Sequence, residues 1–99
     1  MSLKIVFMGT SEFSVPTLDI LLRNKFSILT AYTQPAKKSK RGQKVNSSPV
    51  EKFCKKNNIN FRSPSNLNNE EEINMFKKLS PDLVIVVAYG QIIPKNLLK

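Results

Sequence analysis

Six consecutive apolar residues, Leu83-Val84-Ile85-Val86-Val87-Ala88, constrain the fold of this chain more than any other stretch. Even when extended to Tyr89, the run is far short of the ~20 residues a membrane-spanning helix requires. It is bounded by Ser80-Pro81-Asp82 before it and Gly90 after it. That is the pattern of a central parallel strand buried on both faces. A second block, Ile5-Val6-Phe7-Met8, ends at Gly9 and has the same character. Parallel strands need crossover connections, and amphipathic helices supply them.

The first helix is expected to begin between Ser11 and Ser14, where either serine is a candidate cap and Pro16 falls in the tolerant first turn. Val15, Leu18, Leu21 and Leu22 form its apolar face, and Asn24-Lys25 ends it. Phe26 to Tyr32 reads as the second strand. Ser47-Ser48-Pro49 is an N-cap followed by proline at the first helical position. Val50, Phe53 and Cys54 then face inward until Asn57-Asn58. Ile59 to Phe61 is a short third strand near an edge. A third helix starts near Asn68 or Asn69. Glu70, Glu71 and Glu72 fall in its first turn, where the helix dipole favours acids, and Ile73, Phe76 and Leu79 face inward. Lys95 to Lys99 reads as the first turn of another helix. The resulting β-α-β-α-β-α-β order predicts one α/β domain over residues 1–99. Its fold is a doubly wound, Rossmann-like parallel sheet with strands in the order 3-2-1-4. The first and fourth strands then lie side by side. Gly9-Thr10 faces Tyr89-Gly90-Gln91 across the topological switch point, where such folds bind ligands.

Residues 33–49 form a long connection leaving the same rim. Five of them are cationic (Lys37, Lys38, Lys40, Arg41 and Lys44), and no Asp or Glu occurs between Asp19 and Glu51. Lys and Arg outnumber Asp and Glu by 16 to 7 over the chain, for a net charge of +9. A clustered excess of this kind points to a polyanion such as nucleic acid. The alternative is a solvated loop in a chain whose Lys, Asn and Ile content reflects AT-rich codons.

Several chemistries are disfavoured. The chain contains no His and one Cys, which removes the commonest general base, a Cys-based metal site and an intramolecular disulfide. A dinucleotide fingerprint would need Gly where Ser11 and Ser14 stand. Cys54 reads as a small core residue. No signal peptide is read at the N-terminus, so a cytoplasmic location is expected.

One family matches these landmarks in order. Lys4 to Thr10 with Glu12-Phe13, then Thr33-Gln34-Pro35, Arg41-Gly42, Ser48-Pro49-Val50, and Pro81 to Gly90 with Ile93-Pro94 resemble the N-terminal part of the methionyl-tRNA formyltransferases. The resemblance implies transfer of a formyl group from 10-formyltetrahydrofolate to the amino group of methionyl initiator tRNA. Arg41 would contact the tRNA, with Lys37, Lys38, Lys40 and Lys44 as phosphate contacts. Ala36 stands where the family has an acidic residue. Gln91, Ile92 and Ile93 would line the folate pocket, or else serve as core residues before Pro94. Phe13 would either touch the methionyl or acceptor end or cover the first helix's apolar face. The family's catalytic Asn, His and Asp lie beyond these residues. The chain is therefore expected to hold no catalytic residue, no metal and no C-terminal tRNA-binding domain, and to lack activity alone; the full-length family is expected to be monomeric. Another folate formyltransferase, acting on a sugar or hydrolysing formyltetrahydrofolate, and a stand-alone RNA-binding module are the alternatives.

Overall fold

The computed structural model describes residues 3–35, 37–38, 45–90 and 93, with residues 37, 38, 45 and 46 described by their backbone alone. Strands β1 (Lys4–Gly9), β2 (Ser27–Tyr32), β5 (Phe61–Arg62) and β6 (Leu83–Val87) form one sheet. Its order is β5-β2-β1-β6, and every pair is parallel. This is the expected 3-2-1-4 arrangement, in which β5 is the third strand of the main sheet and β6 the fourth. Helices α1 (Val15–Arg23), α2 (Pro49–Asn57) and α3 (Glu70–Leu79) supply the crossovers.

Alternation along β1 divides the core in two. Ile5 and Phe7 pack with Leu18, Leu21, Val50 and Cys54 beneath α1 and α2. Val6 and Met8 point the other way and pack with Tyr32, Leu67, Phe76 and Tyr89 on the α3 side. Residues 5 to 8 are all essentially inaccessible, and burial of each large apolar side chain contributes roughly 1.5–3 kcal/mol.

The helix ends follow local chemistry. Ser48 Oγ accepts the Glu51 amide at 3.0 Å ahead of Pro49. Asn69 Oδ1 accepts the Glu72 amide at 2.9 Å. Asn58 ends α2 in the left-handed region with φ of 57°, a conformation Asn tolerates well. Glu72 does more than complement the dipole. It receives Arg62 Nε at 2.9 Å and Nη2 at 2.7 Å, a two-point clamp that ties α3 to β5.

Three expectations change. The third strand begins at Phe61 rather than Ile59, because the Ile59 amide still bonds the Cys54 carbonyl at 2.9 Å and its side chain belongs to the core. The long basic connection contains a ribbon: β3 (Lys37–Lys38) pairs antiparallel with β4 (Val45–Asn46). Strand β6 is not buried on both faces; Leu83 and Val86 are 45% and 47% exposed. Among the described residues it has β1 on one side and no strand on the other. An open apolar edge of this kind templates further pairing. The 99-residue chain is therefore expected to self-associate in sedimentation experiments at micromolar concentration, and a sharp, reversible melt of a monomer would refute this.

Candidate functional site

Three chain segments converge at the carboxyl end of the sheet: residues 9–14 after β1, 33–35 after β2 and 88–90 after β6. Gly9 allows α1 to begin close against β1, because a Cβ there would stand 2.7 Å from both the Phe7 ring and Ser14 Cβ. The Thr10 amide extends the ladder to the Ala88 carbonyl at 3.1 Å. Its hydroxyl donates to the Tyr89 carbonyl at 2.6 Å and accepts the Gln34 amide at 3.1 Å. Gln34 Nε2 donates to the same Tyr89 carbonyl at 3.3 Å. Ser14, expected as a helix cap, instead sends its hydroxyl to the Val87 carbonyl at 2.5 Å. Gly90 has φ of +94°, and the position a Cβ would take is filled by the Gln34 side chain.

The root of the basic ribbon is fixed at both ends. Thr33 and Ser48 share a buried hydroxyl–hydroxyl hydrogen bond of 2.6 Å, and the Thr33 amide donates to the Arg62 carbonyl at 3.0 Å. Between this root and the β1 exit lies a cleft of ≈ 250 Å³ lined by Thr10, Ser11, Gln34, Pro35, Ser47, Ser48 and Pro49. That volume suits a fragment of a substrate, such as one sugar or a short side chain, rather than a drug-sized ligand. The lining groups are hydroxyls, a carboxamide and proline rings, none of which titrates near neutrality. The cleft can bind and orient, but these residues do not transfer protons. A larger hollow of ≈ 470 Å³ lies on the far edge of the sheet, between β5 and α3.

The sequence-derived candidates are distributed unevenly over this geometry. Lys37 and Lys38 lie on β3. Lys40, Arg41, Lys44, Gln91 and Ile92 lie outside the described residues. Ile93 is half-buried and packs against the cluster containing Tyr32 and Tyr89. Phe13 does not cover α1: it is 77% exposed. The turn that places it outward is held by Ser14 N–H to the Ser11 carbonyl at 3.0 Å and Phe13 N–H to Ser11 Oγ at 3.2 Å.

Element order places Thr10 at the switch point but shows neither its bond to Gln34 nor the Thr33–Ser48 pair, since hydroxyls and amides carry no periodic signal. Tyr32 carries no sequence mark, and Tyr89 only its place at the switch point. The hydroxyls of Tyr32 and Tyr89 are buried without a partner among the described residues. Burial, then the neighbouring Tyr32 and Glu72, pushes Tyr89 up to about 12, so its phenol stays protonated. Among the described residues, no helix is long and apolar enough to cross a membrane.

Residues 3–99 match the sequence profile of a family described as Formyl transferase. The methionyl-tRNA formyltransferase of Pelagibacter ubique (strain HTCC1062) is 54% identical over 99 residues, which is 99% of this chain and 32% of that protein. Those of Alkaliphilus oremlandii and Coxiella burnetii (strain RSA 331) are 44% and 45% identical over 97 and 98 residues, in each case covering 31% of the relative. The chain thus spans about a third of the length of the curated relatives it matches.

Proposed function

The chain belongs to the formyl transferase family, and from that premise we propose that it is the N-terminal part of a methionyl-tRNA formyltransferase catalytic domain. In this reading it holds one wall of the site at which 10-formyltetrahydrofolate meets the amino group of methionyl initiator tRNA, in the cytoplasm. The supporting observation is the convergence of the basic ribbon's root and the β6 exit on Thr10 and Gln34. A tRNA arm and a folate segment must meet at such a point for the amine to reach the formyl carbon.

The cations of residues 33–49, Arg41 with Lys37, Lys38, Lys40 and Lys44, would neutralise acceptor-arm phosphates. Phe13, exposed two positions after the cleft residue Ser11, would contact the methionyl or acceptor end. Gln91, Ile92 and Ile93 would take the folate ring. Ala88 and Gly90 are exposed residues at the β6 exit, and their small size fits such a ligand, because it lets a flat heteroaromatic come close to the chain. The folate supplies the formyl group, and the residues of this chain bind and orient. The catalytic histidine that the family resemblance implies has no counterpart among these 99 residues, which contain no His. The isolated chain should therefore bind without transferring; formylation of methionyl-tRNA by the purified chain would overturn that.

Binding of an acceptor-stem RNA hairpin, titrated against salt, tests the reading. With about 4–5 phosphates contacted, log K should fall against log salt with a slope of about −3 to −4.5. Replacing Arg41 or one lysine by Ala should flatten the slope by about one. Affinity that does not change with salt would sink the phosphate-gripping role.

A further inference from the structure

We propose that Gln34 is a positioning residue that couples the basic ribbon to the turn after β6. The inference rests on the reading of those two segments as the RNA-gripping and folate-binding parts of one site. Gln34 is the first residue beyond the Thr33–Ser48 hydroxyl pair that closes the ribbon's base. Its main chain and side chain reach the same target by two routes. The amide donates to Thr10 Oγ1, and that hydroxyl in turn donates a hydrogen bond to the Tyr89 carbonyl. The carboxamide Nε2 donates to the Tyr89 carbonyl directly. The side chain also lies over Gly90, whose positive φ and missing Cβ leave room for it. Displacement of the ribbon root must therefore move either the Tyr89 peptide or the Thr10 hydroxyl.

Neither Gln34 nor Thr10 titrates, so the role is geometric. A residue that holds two ligand-bearing segments in one register reduces the reorganisation needed when both are engaged. Any coupling it carries is reciprocal: RNA on the ribbon tightens the β6 exit by the factor with which the β6 exit tightens the ribbon. Gly90 is part of the same device, because a side chain at that position would evict Gln34 from its seat.

Backbone amide hydrogen exchange on the full 99-residue chain tests the proposal, alone and with an acceptor-stem RNA hairpin. Without RNA, Gln34→Met keeps the side-chain length but removes the donor. It should speed exchange of the Thr10 amide about two- to tenfold, the range one lost hydrogen bond corresponds to, while β1–β2 amides keep their rates. Thr10→Val should do the same to the residue 34 amide, and Thr10→Ser should restore it. With RNA, the Thr10 amide should slow in the unsubstituted chain and in Thr10→Ser, but not in Gln34→Met or Thr10→Val. Should Gln34→Met fail to fold, the contrast between Thr10→Val and Thr10→Ser decides the same question. Unchanged ligand-free rates in both Gln34→Met and Thr10→Val would overturn the link itself. RNA protection that stops at the ribbon in the unsubstituted chain would overturn the coupling. Failure of every variant to bind RNA would instead overturn the RNA reading and the coupled ligand with it, leaving the ligand-free rates to judge the link.

Discussion

Gly9→Ala is expected to destabilise the chain by about 3 kcal/mol, the upper end of the usual cost of overpacking a core. The added methyl meets three atoms inside 3.0 Å: the Phe7 ring edge and Ser14 Cβ at 2.7 Å, and Ser14 Oγ at 2.8 Å. None is the free end of a flexible side chain. Phe7 is fully buried beneath α1 and α2. Ser14 sits where α1 begins, and its hydroxyl is committed to the Val87 carbonyl. Relief must come from moving α1 away from the sheet, which also pulls on β6. In a domain of this size a loss of about 3 kcal/mol lowers Tm by more than roughly 10 °C. Calorimetry of Gly9→Ala, Ser14→Gly and the double variant checks the cause. The double variant should be less destabilised than the sum of the singles, and strict additivity would show that Ser14 is not what the methyl strikes.

Stability is also expected to fall at alkaline pH, beginning at the ordinary thiol value. Burial first, and the Glu51 carboxylate second, push Cys54 from 9.0 to about 11. Below pH 9 the thiol is protonated in both the folded and the unfolded chain, and its contribution is fully present. Above pH 9 only the unfolded chain releases the proton, so the folded state loses about 1.4 kcal/mol per pH unit until about pH 11. Urea midpoints measured between pH 8 and 10 read this effect. Cys54→Ala should start lower in stability and lose the share of the slope that belongs to the thiol. An identical slope in that variant would assign the alkaline loss elsewhere. Tyr89, raised from 10.0 to about 12 chiefly by burial, extends the same trend to higher pH.

The architecture was legible because its determinants are local. Ile5 to Met8 and Leu83 to Val87 are apolar blocks at strand length, and Ser48-Pro49 and Asn69 mark helix starts through their own chemistry. Element order then yields sheet order. What escaped depends on partners far apart in sequence. Ser14 has the composition of a cap, yet its hydroxyl is claimed by Val87, 73 positions away. Glu72 is one of three adjacent acids, and only the position of Arg62 on β5 singles it out for a clamp. The β3–β4 ribbon is two residues long on each side, with no alternating apolar face to mark it. Phe13 has the hydrophobicity of a core residue, but a three-residue turn placed it outward. Within the site, family landmarks pointed to Thr33-Gln34-Pro35, whereas the work those residues do is visible only in their hydrogen bonds.

The hydroxyl pair between Thr33 and Ser48 has an evolutionary consequence. It makes the ribbon an appendage on a closed base, so whatever lies between positions 34 and 47 is inserted into a loop whose ends already meet. For a flexible insert, each doubling of length then costs only about 0.6 kcal/mol of closure entropy. The reach and charge of this arm can change over generations while Thr33, Ser48 and the sheet beneath them stay as they are. The core sets where the arm is rooted, and selection remains free to set how far it extends.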